Sequence, residues 1–236
     1  MFRQKISEIK EIGERQKVLD YLGHPDEDDV SPVVSLYYGH SFVQHMVDYI
    51  NTLPPYMKDF GIFPNQGSVF FQSKSGATVA RLREDKNIRK ILQLRPEIVV
   101  LEVGTNDLAR EDMSPKDVAD GVMELVRDVL DCHVREVVVD QVILRGKEGM
   151  ERAVPEFKDK VHDYNRRIKN DLQYQPRASF WHHRNLWNVE LEEHLEDGTH
   201  LNALGNKKLY RSVKGAIQST MKRVRPAWGT QPYDFY

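Results

Sequence analysis

Residues 98–107, with the sequence IVVLEVGTND, contain an apolar run that ends abruptly in a polar turn. The run at 98–103 is nearly continuous rather than alternating, which is typical of a strand covered on both faces of a parallel sheet. Similar runs lie at 33–38, 69–71 and 137–144, with a weaker one at 178–182. The sequence therefore predicts a buried parallel sheet.

Helical patterns separate these runs. Phe42, Met46 and Ile50 recur at a spacing of one helical turn, and a second apolar stripe runs through 157–172. Ser114 followed by Pro115 is a helix start, and Asn202 is placed to cap a last helix. Repeated strand–helix–strand order predicts right-handed crossovers and an α/β fold of the three-layer α/β/α sandwich type. In such folds the reactive loops follow the carboxyl ends of the strands.

The chain of 236 residues divides into a polar N-terminal extension at 1–31, one α/β domain at 32–225 and a C-terminal tail at 226–236. No stretch reaches the roughly 18 apolar residues of a membrane span. The N-terminus is charged throughout and lacks the apolar core of a signal peptide. We therefore expect an intracellular, cytoplasmic protein without a membrane span.

Two strand-end loops carry side chains for nucleophilic chemistry. Ser41 follows the first strand at a helix N-terminus, where backbone N–H groups stabilise negative charge. Asp197 precedes His200 by three residues across a glycine, so the carboxylate can orient the imidazole as a general base. Taken alone, Ser41 is better explained as an N-cap and His200 equally well as a solvated loop histidine.

Two further loops offer hydrogen-bond donors. Gly76, after the second strand, lets a backbone N–H approach a bound oxygen closely. Asn106, after the third strand, has an amide that can donate to a developing oxyanion. Each is also a common turn residue, so neither decides the function by itself. Together the four loops supply a nucleophile, a backbone donor, an amide donor and an acid–base pair, in that order.

This order of motifs resembles the four hallmark blocks of the SGNH (GDSL-like) hydrolases. GHS at 39–41, the Gly76 loop, GTND at 104–107 and DGTH at 197–200 match them over about residues 33–217. The resemblance implies a flavodoxin-like fold with a central five-stranded parallel sheet, and a serine hydrolase of small acyl or O-acetyl esters without metal or organic cofactor.

The resemblance also implies individual roles. Ser41 would be the nucleophile, His200 the base and Asp197 the residue that orients it. The Ser41 and Gly76 N–H groups and the Asn106 side chain would form the oxyanion hole. The chain departs from the family at His40, which stands where an aspartate usually braces the nucleophile turn.

The alternative function is a catalytically weak binding module on the same fold, associated with nucleic acid or retroelements. A basic stripe favours it, although such a stripe is more often the solvated face of a helix. Its members are Lys207, Lys208, Arg211, Lys214, Lys222, Arg223 and Arg225. The phrases GHSFVQHM and HLNALGNKKLYRS resemble SGNH-like proteins of invertebrates, some of them encoded by retrotransposons.

Two remaining features bear on ligands. Arg145, at the end of the fourth apolar run, is placed to contact an anionic substrate group, although a surface ion pair is the more common role for such an arginine. His182 and His183 are adjacent and therefore face opposite ways on a strand, so we expect no metal site there. Neither GxGxxG nor GxxxxGK[ST] occurs, which argues against nucleotide binding. The sequence does not indicate the oligomeric state.

Overall fold

The computed structural model describes residues 33–62, 67–92, 95–184, 186 and 189–225. In this part of the chain five strands form one sheet with the order β2-β1-β3-β4-β5, and every pairing is parallel. The strands are β1 Val33–Gly39, β2 Gly67–Ser73, β3 Ile98–Glu102, β4 Glu136–Asp140 and β5 Ala178–Trp181. This is the flavodoxin-like order, and the predicted α/β fold with a five-stranded parallel sheet is confirmed. The extension at 1–31 and the tail at 226–236 lie outside the described residues, so the domain boundaries stay predictions.

The helices follow the strands as the sequence patterns indicate. They are α1 Ser41–Asn51, α2 Val79–Arg83, α3 Lys86–Leu92, α4 Thr105–Leu108, α5 Pro115–Leu130, α6 Lys147–Glu151, α7 Phe157–Leu172 and α8 Ala203–Val224. Both predicted caps are present, because Ser114 accepts from the Asp117 N–H and Asn202 accepts from the Gly205 N–H. Short 3₁₀ turns cover Pro55–Met57 and Val189–His194. None of the helices described is long and apolar enough to cross a membrane.

Alternate residues of the strands face two separate cores. Leu101 and Val139 pack with α5 and α7 on one side of the sheet, whereas Val100 and Val138 pack with α1 and α8 on the other. Both sides of each central strand are therefore buried, which explains why the strand sequences are continuously apolar.

The fourth strand is shorter than its apolar run. The pattern predicts a strand over 137–144, but β4 ends at Asp140. Beyond it, Val142 and Ile143 are still buried, and the Asn165 side chain bonds both the N–H and the carbonyl of Val142. The apolar pattern therefore indicated burial correctly. The backbone of Val142, however, bonds the Asn165 side chain instead of a neighbouring strand.

Candidate active site

Ser41 is the first residue of α1 and lies directly beyond the carboxyl end of β1. The chain order of the sheet reverses at β1, which is where ligands bind in open α/β sheets. Gly39 makes this turn possible because a Cβ there would lie 2.1 Å from the Glu102 carbonyl oxygen. The turn therefore packs against the end of β3.

His200 lies next to Ser41, although 159 residues separate them in the chain. The His200 Nε2 atom is 3.1 Å from Ser41 Oγ. On its other side, His200 Nδ1 is 2.8 Å from Asp197 Oδ2. These contacts form one continuous chain from hydroxyl to imidazole to carboxylate, with the distances that a nucleophile and its general base require.

Asp197 is held by a tight turn at Gly198, whose φ is +74°. Its Oδ1 atom accepts from the backbone N–H of Thr199 at 2.9 Å and of His200 at 2.7 Å. Burial acts to raise the pKa of Asp197, but hydrogen bonds from the His200 backbone and ring and from Thr199 outweigh it and hold that pKa well below the usual range. The carboxylate is therefore ionised at neutral pH, facing the imidazole.

The His200 ring contacts two aromatic side chains of α1. His45 stacks on it with ring centroids 4.5 Å apart and an interplanar angle of 13°. Phe42 meets it edge-on at 6.2 Å. The sequence analysis missed His45, although its position four residues after Ser41 puts it one helical turn away on the same face.

The two proposed donor loops lie beside the nucleophile turn. Gly76 has a φ of +66°, and Lys74 of the same loop donates its N–H to the Gly39 carbonyl at 2.9 Å. Asn106 donates its side-chain amide to the Ala77 carbonyl at 3.0 Å, which joins the loop after β3 to the loop after β2. The structure thus brings the loops of Ser41, Gly76 and Asn106 together.

His40 is fully buried under this site. Its Nδ1 atom accepts from the Phe42 N–H at 3.5 Å, so it is the N-cap of α1. Its Nε2 atom lies 3.6 Å from Glu102 Oε1. Burial, and then electrostatic interaction with Arg145 and with the His200 ring, lower the pKa of His40 to about 3, so the His40 ring is neutral. A neutral histidine thus accepts the turn hydrogen bond at this position.

The GDSL-like Lipase/Acylhydrolase family matches residues 39–208, which include every residue of this site. The chain belongs to this family. No curated protein matches the sequence.

Solved structures of similar fold include three enzymes of low sequence identity to this GDSL-like chain. A GDSL-like lipase from Bacteroides thetaiotaomicron is 16% identical with a TM-score of 0.61, over 87% of this chain and 97% of that one. An acetyl-xylooligosaccharide esterase from Geobacillus stearmophilus is 16% identical with a TM-score of 0.58, over 80% and 95%. A carbohydrate esterase family 3 protein from Talaromyces cellulolyticus is also 16% identical at 0.58, over 81% and 99%. At this identity the likeness shows the fold alone.

Arg145 of this GDSL-like chain is half-buried after β4. Its guanidinium carbon lies 4.7 Å from the centre of the Phe157 ring. Burial, and then the charge of Arg152, lower its pKa, and its Nε atom has no hydrogen-bond partner among the described residues. This Nε atom is buried, and the role of Arg145 as a substrate contact stays a prediction.

The basic stripe predicted on the last helix is partly used inside the protein. Arg223 bonds the Glu136 carboxylate, and Arg225 bonds Glu97 Oε1 at 2.6 Å. These two arginines thus pair with acids at the amino ends of β3 and β4. Nucleic-acid binding through this helix stays a prediction, and two of the seven basic side chains of the stripe are already paired with acids of the protein.

Proposed function

We propose that this GDSL-like chain is a serine ester hydrolase that acts on small acyl or O-acetyl esters through an acyl-enzyme. The observation that carries the proposal is the continuous chain of contacts from Ser41 Oγ through His200 to the Asp197 carboxylate. Family membership supports the ester-hydrolase class, and the likeness in fold to an acetyl-xylooligosaccharide esterase favours a small acyl group.

The first half of the reaction transfers the acyl group to the enzyme. Ser41 Oγ attacks the ester carbonyl carbon while its proton moves to His200 Nε2. Asp197 holds Nδ1–H and stabilises the imidazolium that forms. The tetrahedral intermediate then collapses, the bond to the alcohol oxygen breaks, and His200 gives its proton to the leaving alcohol.

The second half releases the acid. Water attacks the acyl carbon while His200 accepts a proton from it. The bond between the acyl carbon and Ser41 Oγ then breaks, and His200 returns the proton to Ser41 Oγ. The Ser41 N–H, the Gly76 N–H and the Asn106 amide form the oxyanion hole in both halves. Arg145 provides a contact for an anionic group of the substrate. Side chains and water carry every proton and electron pair, so these steps require no cofactor.

A fluorophosphonate probe and nitrophenyl esters of increasing chain length test this proposal. We expect the native protein to react with the probe at Ser41 and to prefer acetate over octanoate. Ser41→Ala and His200→Ala should abolish labelling and turnover, whereas Ser75→Ala, an exposed serine in the Gly76 loop, should keep both. A native protein that resists the probe while a control esterase reacts, or a Ser41→Ala variant labelled equally well, contradicts the proposal.

The competing binding module presumes that His40, in place of aspartate, disturbs the nucleophile turn, and it would bind nucleic acid through the basic stripe. The structure weakens its physical basis, because His40 caps α1 and Ser41 remains in contact with His200. No comparison supports retrotransposon association or bears on nucleic-acid binding or an intracellular location, and these stay predictions.

A further inference from the structure

Three ionisable side chains meet beneath the active site at the ends of neighbouring strands. Glu102 is the last residue of β3, Asp140 is the last of β4, and His183 follows β5 by two residues. All three side chains are at most 1% exposed. The strand positions of Glu102 and Asp140, two residues after Val100 and Val138, place them on the sheet face covered by α8.

The facing atoms of this cluster have no adequate partners. His183 Nε2 lies 3.9 Å from Glu102 Oε2 and 3.9 Å from Asp140 Oδ2, which is too far for a hydrogen bond. Among the described residues, His183 Nε2, Glu102 Oε1 and both Asp140 oxygens have no hydrogen-bond partner. Glu102 Oε2 accepts only a long bond of 3.4 Å from the Tyr37 hydroxyl. Buried carboxylates without a compensating charge are strongly unfavourable in a protein core.

We infer that Glu102, Asp140 and His183 bind one divalent transition-metal ion of the Zn²⁺ type. One ligand atom from each residue lies within 4.8 Å of the other two. Two atoms that bind one Zn²⁺ ion tetrahedrally at about 2.0–2.2 Å lie about 3.3–3.6 Å apart, so the ligand atoms would have to close by up to about 1.5 Å on binding. A divalent ion would balance the two carboxylates. The imidazole donor favours zinc over Mg²⁺ or Ca²⁺, which prefer oxygen ligands.

The surroundings of His183 fit a metal ligand. Its Nδ1 atom is 2.8 Å from Ser212 Oγ, and this oxygen accepts the Trp181 indole N–H at 3.0 Å. A metal-bound histidine commonly donates its second ring N–H to such an acceptor, which leaves the other nitrogen free for the ion. The His183 backbone N–H donates to Gln141 Oε1 at 3.0 Å and fixes the ring further. The orientation of Nε2 toward the two acids is thus set by contacts outside the cluster.

The space between β5 and α8 borders the cluster at His183. A cavity of about 630 Å³ there is lined by His183 and Ser212, and also by Arg184, Lys208 and Arg211. The positive charges oppose entry of a cation, so we expect slow exchange of the ion once it is bound.

The cluster also connects to the nucleophile turn. Glu102 Oε1 lies 3.6 Å from His40 Nε2, and the Glu102 carbonyl accepts the His40 backbone N–H at 3.3 Å. The ion would therefore stabilise the turn that carries Ser41 without touching the reacting atoms. The sequence analysis considered only His182 and His183; the missed signal is an acid at the end of two successive buried strands.

Zinc content and thermal stability of the full chain, prepared without a histidine tag, test this site. After treatment with a chelator, exposure to ZnSO₄ and dialysis, we expect about one zinc per chain by mass spectrometry. The melting temperature should rise by at least about 5 °C with zinc and should not change with MgSO₄. Failure of the wild-type protein to retain zinc would overturn the proposal, whether or not the protein hydrolyses esters.

Variants separate this site from adventitious binding. Asp140→Asn and His183→Gln should each lose the bound zinc and its stabilisation, whereas His133→Asn, at an exposed histidine, should keep both. Equal zinc in all four proteins would contradict the proposal. If the cluster instead holds no metal and its acids are protonated, Asp140→Asn should be as stable as the wild-type protein in the presence of zinc. If either variant fails to fold, the effect of zinc on the melting temperature of the wild-type protein still tests the proposal.

Discussion

The Nδ1 atom of His40 accepts the Phe42 N–H at 3.5 Å, across the turn that places Ser41 at the start of α1. Loss of an N-cap acceptor typically costs about 1 kcal/mol. Because the cap bond is long but His40→Ala also removes a fully buried side chain, we expect the variant to lower the free energy of unfolding by about 1–2 kcal/mol. Because the Ser41 N–H loses its fixed position, kcat for nitrophenyl acetate should also fall by about tenfold.

His40→Asn is the matched control for this prediction, since asparagine keeps an acceptor at the N-cap position. Urea unfolding and initial rates, measured in parallel with Ser41→Ala as background, compare the two variants. If His40→Asn loses as much stability and activity as His40→Ala, capping is not the role of His40.

The stacking of His45 on His200 leads to a second prediction. Contacts between aromatic rings are worth about 0.5–1.5 kcal/mol beyond the area they bury, which corresponds to about a 2–10-fold change in rate. His45→Ala should therefore lower kcat/KM by about that factor. Burial, and then electrostatic interaction with the His200 ring, lower the pKa of His45, so His45→Phe preserves the ring without altering charge at neutral pH and should retain most activity. Equal losses in the two variants would show that the stack does not position His200.

The sequence predicted the strands of the fold better than the contacts that hold the site residues in place. Periodicity located every strand, because buried parallel strands are apolar on both faces, and the resemblance to the GDSL-like family indicated Asp197 and His200. It overextended β4, because burial of Val142 does not reveal that the Asn165 side chain satisfies its backbone. Pattern also failed for His45 and for Asp140, whose significance depends on contacts with residues distant in the chain. Such contacts are set by tertiary packing, which no local pattern records.

Asn106 provides a test of the proposed oxyanion hole. Removing one donor to an oxyanion typically costs roughly 100–1000-fold in kcat. We expect Asn106→Ala to show this loss with KM changed by less than about threefold, because the donor acts on charge that develops after substrate binding. Gln44→Ala removes the neighbouring contact to Ser73 Oγ and should leave kcat nearly unchanged. A rise in KM with kcat preserved would instead assign Asn106 to substrate binding.

Asp107, next to Asn106, should make the stability of the fold depend on pH. Its carboxylate is 3% exposed and accepts the Val79 N–H at 3.0 Å. Burial, which outweighs that hydrogen bond, raises the pKa of Asp107 to about 6. In the unfolded chain an aspartate titrates near about 3.9. The native state therefore binds this proton more tightly, and the resulting stability is full below about pH 4 and is lost as the pH rises to about 6.

Asp107→Asn removes this titration while keeping a carbonyl oxygen for Val79. A shift of about two pKa units corresponds to about 3 kcal/mol, so the stability of wild type relative to Asp107→Asn should fall by about 2–3 kcal/mol between pH 4 and pH 7. Urea unfolding across this range measures the difference. Asp171→Asn, which removes an exposed carboxylate, serves as the control for a general effect of charge. A difference between wild type and Asp107→Asn that is constant, or that grows as the pH rises, would show that burial of Asp107 does not oppose its ionisation.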